Sequence, residues 1–511
     1  MRQWMVAAKK ADFYAIAEKF HVDPVVARII RNREVIGEKN IRIYLGGNLS
    51  DLSDPHQMKD MDRLVEILAQ KIRKQVHIRI IGDYDVDGVT SSHLFLTALR
   101  RVGAKVDVVI PHRIQDGYGL SLHLLQQAKE DGVDTILTCD NGIAAIDEIA
   151  WAKAQKMTVL VTDHHAVPFE EHEGRRTEKK SLADAVVNPH QQDCGYPYKE
   201  LCGAGVAWNV IRVLYENYDM DKREAEDLLD FVAMATVCDV MSLTGENRIL
   251  VKEGLKRIRH TKNIGLQALM QACNVQPENI SAYHFGYVLG PCVNATGRLD
   301  TARHALRLFE TGQETEAEEI ARDLVDLNQE RKELTLQGVE MAKKLCEEGG
   351  YENDPVLVLF LPDVHESIAG LIAGRIREMY NRPVFVLTRG EEGVKGSGRS
   401  TENYSMYENM CGCAELFTKF GGHPMAAGLS LPEENVEKFR RKINENCPLT
   451  VEEVCPDIHI DMAMPVGYAS TELVHQFALL EPFGKDNPSP LFADRNLSIS
   501  RMWLIGKNRN V

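Results

Sequence analysis

The sequence predicts an α/β protein: a parallel-sheet domain joined by a long helix to a smaller α/β domain, with helices before it and a small β module after it. Three observations predict this. The chain of 511 residues exceeds a single core and should divide into about two to four domains. From His77 onward, short apolar runs at 77–81, 106–110, 134–138 and 157–162 alternate with helix-like segments at 89–101, 121–130 and 143–155, the spacing of βαβ units. Residues able to do chemistry follow directly after those runs, where parallel sheets gather their ligands.

Residues 1–75 are helical and polar, with amphipathic stretches at Ala11–Phe20 and Met58–Ile72. The domain at 76–312 opens on Ile80-Ile-Gly-Asp-Tyr-Asp-Val-Asp-Gly, an apolar run ending in Asp83, Asp85 and Asp87. If the strand persists, its two-residue period places all three carboxyls on one face. Carboxylates so close repel one another, and a divalent cation removes that cost; a solvated acidic turn is the plain alternative. The next strand ends give Asp140-Asn-Gly and Asp163-His164-His165. Singly, Asp140 is equally a helix cap and the two histidines a loop pair; three such sites on successive strand ends point to one centre. A further strand is expected at Ala185–Val187, then mostly helix from Gly203 to Lys256. Asp239 sits in the apolar run Phe231–Leu243 and needs a partner, either a metal or a helix end. Pro291–Leu299 is expected as a loop whose Asn294 and Arg298 face phosphate, with a surface ion pair as the alternative for Arg298.

Glu314–Glu348 carries Ile320, Leu324, Leu327 and Leu334 at helical spacing and is expected as a connecting helix across 313–350. A second α/β unit, 351–450, has strands at 356–361 and 384–387 and a helix at 369–380. Its Gly396-Ser397-Gly398-Arg399-Ser400 and Gly421-Gly422-His423 stretches are expected as glycine-rich loops able to approach an anion, with Arg399 supplying a fork. A partial β module follows at 455–511, with alternation at Asp457–Asp461 and a strand-like Met502–Ile505.

The net charge of −15 argues against a uniformly basic surface, yet a local basic groove acts within a Debye length of about 8–10 Å. No run of about 18 apolar residues marks a membrane span, and Met1–Lys10 lacks the apolar segment of a secretory signal. Eleven cysteines form no regular framework, which fits reduced thiols in a cytoplasm. Cys411-Gly-Cys413 is spaced too closely for the usual zinc pair and is structural.

The ordered set Asp83-Tyr-Asp85-Val-Asp87-Gly, Asp140-Asn-Gly, Asp163-His164-His165, Asp239 and Gly421-Gly422-His423 resembles the DHH phosphoesterase superfamily and, within it, the single-strand-specific exonucleases. The likeness runs from about residue 10 to the end and includes Pro111-His-Arg113, Asn294–Arg298 and Gly396–Ser400. Asp486 stands where members often have glycine, and the last module, oligonucleotide-binding-like, looks truncated.

The resemblance implies a DHH domain, a DHH-associated domain and a two-metal site held by Asp83, Asp85, Asp87, Asp140, His164 and Asp239. Spacing leaves open which two of the first three acids bind directly. His165 and Asp163 act behind the ligands or on the scissile phosphate. Mixed carboxylate and imidazole donors favour two Mn²⁺ ions, with Mg²⁺ as the alternative. The implied reaction is 5′-to-3′ hydrolysis of single-stranded DNA to 5′-mononucleotides, in repair and recombination. Arg113, Ser397 and Arg399 hold the 5′-terminal phosphate, with Arg298 and His423 near the strand. Single-stranded DNA is the expected partner, a single-strand-binding protein or a helicase the candidate protein partner, and no membrane is involved. Two rival readings are a phosphodiesterase for short oligonucleotides or cyclic dinucleotides, and a replication scaffold without activity.

Overall fold

The structure is a computed structural model. It describes residues 4–113, 116–117, 119–172, 175–299, 302–351, 353–390, 393–453 and 457–503, the side chains of His172, Arg175, Arg176, Arg298 and Leu299 excepted.

The first sheet is built from β1 (Ile78–Ile81), β2 (Val106–Val109), β3 (Thr135–Cys139), β4 (Thr158–Thr162) and β5 (Ala185–Val187), in the order β2-β1-β3-β4-β5. All pairs are parallel; Ile78 registers with both Val106 and Thr135, and Thr135 with Thr158. Every residue of β1 and β3 is buried, which explains their near-continuous apolar runs. Strand order reverses between β1 and β3, so a crevice opens outside their carboxyl ends.

Strand β1 stops at Ile81, and α1 (Val86–Arg101) begins five residues later. The acids therefore do not continue the strand. Asp83 lies in the turn, Asp85 caps α1 through its carboxylate, and Asp87 rides the first helical turn. A turn followed by a helix, rather than the two-residue period, brings them together.

Helices α2 (Gly203–Asn217), α3 (Leu229–Cys238) and α4 (Gly290–Leu299) continue the first core. Helix α4 replaces the loop expected at Pro291–Leu299. Pro291, which has no N–H to donate, closely follows the π-helical turn Phe285–Leu289, where the helical hydrogen-bond pattern shifts. Helix α5 (Glu314–Glu348), as expected, is continuous for 35 residues. Its Ala317, Ile320, Ala321 and Leu324 join the first core, and its Val339, Ala342 and Cys346 the core of the second sheet. One helix is thus shared by both.

The second sheet comprises β6 (Leu357–Phe360), β7 (Val384–Gly390), β8 (Gly393–Arg399), β9 (Lys419–His423) and β10 (Ala426–Leu431), with α6 (Glu366–Tyr380) on one face. Its order is β9-β10-β8-β7-β6, antiparallel except for β7 with β6. Two expected loops are strands. Gly396–Arg399 lies in β8, pairing Ser397 with both Val386 and Gly428, and Gly421–Gly428 forms the β9–β10 hairpin. Partners on both sides of β8, and β10 beside the edge strand β9, override the glycines' weak strand preference.

The chain separates into two compact units: Gly46–Pro456 with Pro482–Asn487, and a second formed by residues up to Leu45, Asp457–Glu481 and those from Pro488. In the second unit, Trp4–Val6 pairs in parallel with Ile458–Ile460, and Met462–Ala463 with Phe492–Ala493. The strand expected at Met502–Ile505 is not formed at Met502 and Trp503; the rest lies outside the described residues. In the first unit, Asp486 has φ 59°, the left-handed conformation that favours glycine.

Candidate metal centre

Five carboxyl groups and an imidazole meet at the β1/β3 crevice. His164 Nε2 lies 3.0 Å from Asp140 Oδ1, 3.6 Å from Asp87 Oδ2 and 3.6 Å from Asp239 Oδ2. Three overlapping groups have ligand atoms within 4.8 Å of one another: Asp83, Asp85 and Asp140; Asp87, His164 and Asp239; and Asp140, His164 and His165. Asp140 belongs to two of them, at the junction between the acids after β1 and the histidines after β4.

Local backbone aims each group. Gly203 and Ala204 N–H, at the start of α2, donate to the two Asp87 oxygens at 2.6 and 2.7 Å, so a helix N-terminus faces that carboxylate. Glycine is required at 203, because a β-carbon there would stand 2.6 Å from Asp140 Cβ. Gly119 N–H donates to Asp83 Oδ1 at 3.3 Å, and the buried Asp83 Oδ2 accepts no hydrogen bond. Asp239 ends α3, and the next residue, Val240, holds φ 54°. A β-branched residue rarely adopts that conformation, and such strain gathers where a site is over-determined. Asp140 itself sits at φ 61°.

Asp163 serves the histidines. Its carboxylate accepts from Ile143, His164 and His165 N–H at 2.9, 2.7 and 3.1 Å and shares a 2.8 Å hydrogen bond with His165 Nδ1. Burial works against the charge on His165, but the bond to Asp163 overcomes it and lifts the ring's pKa to about 9. Burial lowers His164, keeping that imidazole neutral and able to donate a lone pair.

Burial first, and then neighbouring carboxylates, hold Asp83, Asp140 and Asp239 well above the ordinary carboxylate range; Asp85 is raised by the same causes. Asp87, Asp140 and Asp239 make ionic contacts to His164, and the charges of Arg113 on Asp83 and of Lys485 on Asp239 do not offset burial and the fellow carboxylates. An oxygen-rich, buried, over-negative cluster with a neutral imidazole fits divalent cations.

A second feature adjoins the cluster. Tyr84, between Asp83 and Asp85, lines a cavity of about 440 Å³ together with Arg113, Lys395, Ser397 and Lys419. The Arg113 guanidinium lies 4.9 Å from the Tyr84 ring centroid. As β8 is a strand, Lys395, Ser397 and Arg399 project from one of its faces. A β-carbon at Gly370 of α6 would stand 2.8 Å from Arg399 Nη2 and 3.0 Å from Ser397 Oγ, so glycine makes room there for both side chains. Burial holds the Arg399 guanidinium below its usual value, with Arg377 and Arg113 adding to the effect. Within the cavity lining Lys395 is paired with Glu366 at 2.8 Å, leaving Arg113 and Lys419 as its further cations, while Arg399 lies outside the lining and donates from Nη1 to Gly398 O at 2.7 Å.

Two expected site residues stand elsewhere. His423 is exposed at the end of β9, outside that cavity, and the Arg298 side chain lies outside the described residues. Asn294, expected to face phosphate, accepts from Val86 N–H at 3.2 Å and so holds the start of α1. Sequence reasoning missed Gly203 and Ala204, whose only signal is the Cys202-Gly-Ala-Gly start of a helix. It also missed Asn188, whose Nδ2 donates to His165 O at 2.9 Å.

Three family models match the chain: the DHH family N-terminal domain at residues 77–236, the DHHA1 domain at 353–447 and the RecJ OB domain at 460–511. The single-stranded-DNA-specific exonuclease RecJ of Haemophilus influenzae is 34% identical over 507 residues, covering 95% of this chain and 86% of that protein. The Bacillus subtilis exonuclease of the same name is 33% identical over 499 residues, covering 97% of this chain; this chain spans 62% of its length. Among solved structures, Thermus thermophilus RecJ in complex with Mn²⁺ matches with a TM-score of 0.81 at 28% identity, covering 96% of this chain and 69% of that one. A structure of exonuclease RecJ bound to manganese matches at 0.65 and 32% identity, covering 76% of this chain and 94% of that one. On this evidence the chain belongs to the RecJ family of DHH-superfamily phosphoesterases.

Proposed function

We propose that this chain is a metal-dependent exonuclease that degrades single-stranded DNA from its 5′ end to 5′-mononucleotides, acting in DNA repair and recombination. The observation that carries the proposal is the placement of Tyr84. It lines the basic cavity, while Asp83 and Asp85 on either side of it join the acidic cluster. A terminal phosphate held by Arg113, Ser397 and Arg399 sets the next phosphate of the strand at the cluster. Seated so, the strand loses one nucleotide per cycle.

Asp83, Asp85, Asp87, Asp140, His164 and Asp239 would hold the cations, Mn²⁺ or Mg²⁺, with Asp140 shared between two groups. Bound there, they supply Lewis acidity and neutralise charge on the attacking and leaving oxygens. Asp163 keeps His165 charged and turned toward the cluster, where it can steady a phosphate oxygen. Charged forks in the cavity position the strand without reading its sequence.

The ten described cysteines are free, and no helix among the described residues is long and apolar enough to cross a membrane. We place the protein in the cytoplasm, with a single-strand-binding protein or a helicase as its partner. Incubation with Mn²⁺ and strands labelled at the 5′ or 3′ end, single and duplex, tests the reading. Early release of the 5′ label as a mononucleotide from single strands alone is expected; equal attack from both ends refutes it.

A further inference from the structure

We propose that Tyr283 and Tyr287 form a stacking platform for bases of the single strand on the 3′ side of the bond being cleaved. The inference rests on the exonuclease reading and adds a contact surface to it.

Both rings are presented to water, 62% and 72% exposed. They stack on each other with centroids 5.2 Å apart and planes 23° apart. Their support is rigid. Tyr287 belongs to a π-helical turn, Phe285–Leu289, whose Phe285 and Leu289 are fully buried. The Phe285 carbonyl accepts from Gly290 N–H and also from the Cys238 thiol at 3.3 Å. Cys238 directly precedes Asp239, so the turn is tied to the end of α3 that carries a member of the acidic cluster. Single π turns inside helices commonly mark functional sites.

Helix α4 supplies direction. Near its C-terminal end, Gly297 abuts the Tyr84 carbonyl, and Tyr84 lines the cavity assigned to the terminal phosphate. Tyr287 lies ten residues earlier along the same continuous helical stretch, about 15 Å away at 1.5 Å per residue. Along the stretch, Gly297 meets Tyr84 at the phosphate cavity, Asn294 meets Val86 at the start of α1, and Gly290 and Phe285 meet Cys238 beside Asp239, with Tyr287 on that same turn and Tyr283 just before it. A strand entering the cavity by its 5′ end and crossing the cluster continues toward these rings. Val240, 62% exposed beside Asp239, adds apolar surface at that side.

Aromatic faces without a cation suit bases rather than phosphates, and stacking tolerates any sequence because every base has a π-face. The same rings leave a dinucleotide untouched, because its two residues are used up in the cavity and at the cluster.

The test compares Tyr283→Ala/Tyr287→Ala and Tyr283→Phe/Tyr287→Phe with the wild type. Binding of a long 5′-phosphorylated strand carrying 2-aminopurine is measured without divalent cation, and hydrolysis of that strand and of a dinucleotide with Mn²⁺. The alanine pair is expected to weaken long-strand binding about tenfold or more, to raise its KM and to leave dinucleotide hydrolysis unchanged. The phenylalanine pair should behave as wild type. Unchanged long-strand affinity in the alanine pair overturns the platform, as does an equal loss on the dinucleotide. Tyrosine-dependent binding by a protein that cleaves no strand upholds the platform while refuting the exonuclease reading.

Discussion

His164 Nε2 stands 3.0 Å from Asp140 Oδ1, joining the loop after β4 to the loop after β3 across the crevice. Burial and four neighbouring carboxylates disfavour the charged form of Asp140 in the absence of a cation, so this contact is a ligand pair waiting for charge. Asp140→Ala and His164→Ala should each lower kcat by about a hundredfold or more while the fold persists. Single-turnover hydrolysis together with circular dichroism checks this.

Removing the charge should help the metal-free protein. Asp140→Asn relieves repulsion from Asp87, Asp85, Asp239 and Asp83, so its Tm without metal should rise by about 2 °C. Mn²⁺ should stabilise the wild type and not the variant. Thermal scans with and without Mn²⁺ decide.

The same carboxyls set a pH dependence. Asp83, Asp140 and Asp239 have folded values raised above the ordinary 3.8, so the stability they contribute without metal is present below that value and is lost as pH rises through the folded values. Cations need the ionised form, so affinity for Mn²⁺ should fall as pH is lowered. Calorimetric titration with Mn²⁺ at stepped pH measures this.

Arg399 stands two residues after the cavity-lining Ser397 on β8, buried and within reach of the charges of Arg377 and Arg113. Arg399→Ala should lower the preference for a 5′-phosphorylated over a 5′-hydroxyl strand by about tenfold. Ratios of kcat/KM for the two strands give the answer directly.

In the second unit, Arg33 grips Asp461 with two bonds of 2.6 and 3.0 Å, and both side chains are nine-tenths buried. Burial opposes ionisation of Asp461, but Arg33 prevails and lowers it. A lowered carboxylate contributes stability above the ordinary 3.8 that is lost as pH falls through the folded value. Asp461→Asn should cost about 3 kcal/mol, seen as faster proteolysis within Asp457–Glu481.

The acids and histidines of the site were legible because each follows a buried apolar strand, and charge crowding after such a strand needs an explanation. The route by which they meet was not. The strand period suggested one face for Asp83, Asp85 and Asp87, whereas capping by Asp85 ends the extended backbone and starts α1. Glycine misled three times: Gly396–Gly398, Gly421–Gly422 and Pro291–Gly297 suggest loops by composition, but strand pairing and helical packing decide. The donors at Gly203 and Ala204 are backbone N–H groups, which no side-chain chemistry announces.

The most direct measurement is anomalous diffraction at the manganese edge from crystals soaked in Mn²⁺. Two peaks about 3.5–4 Å apart, among Asp83, Asp85, Asp87, Asp140, His164 and Asp239, are the result the account predicts. Soaked crystals with no peak among those side chains would contradict it.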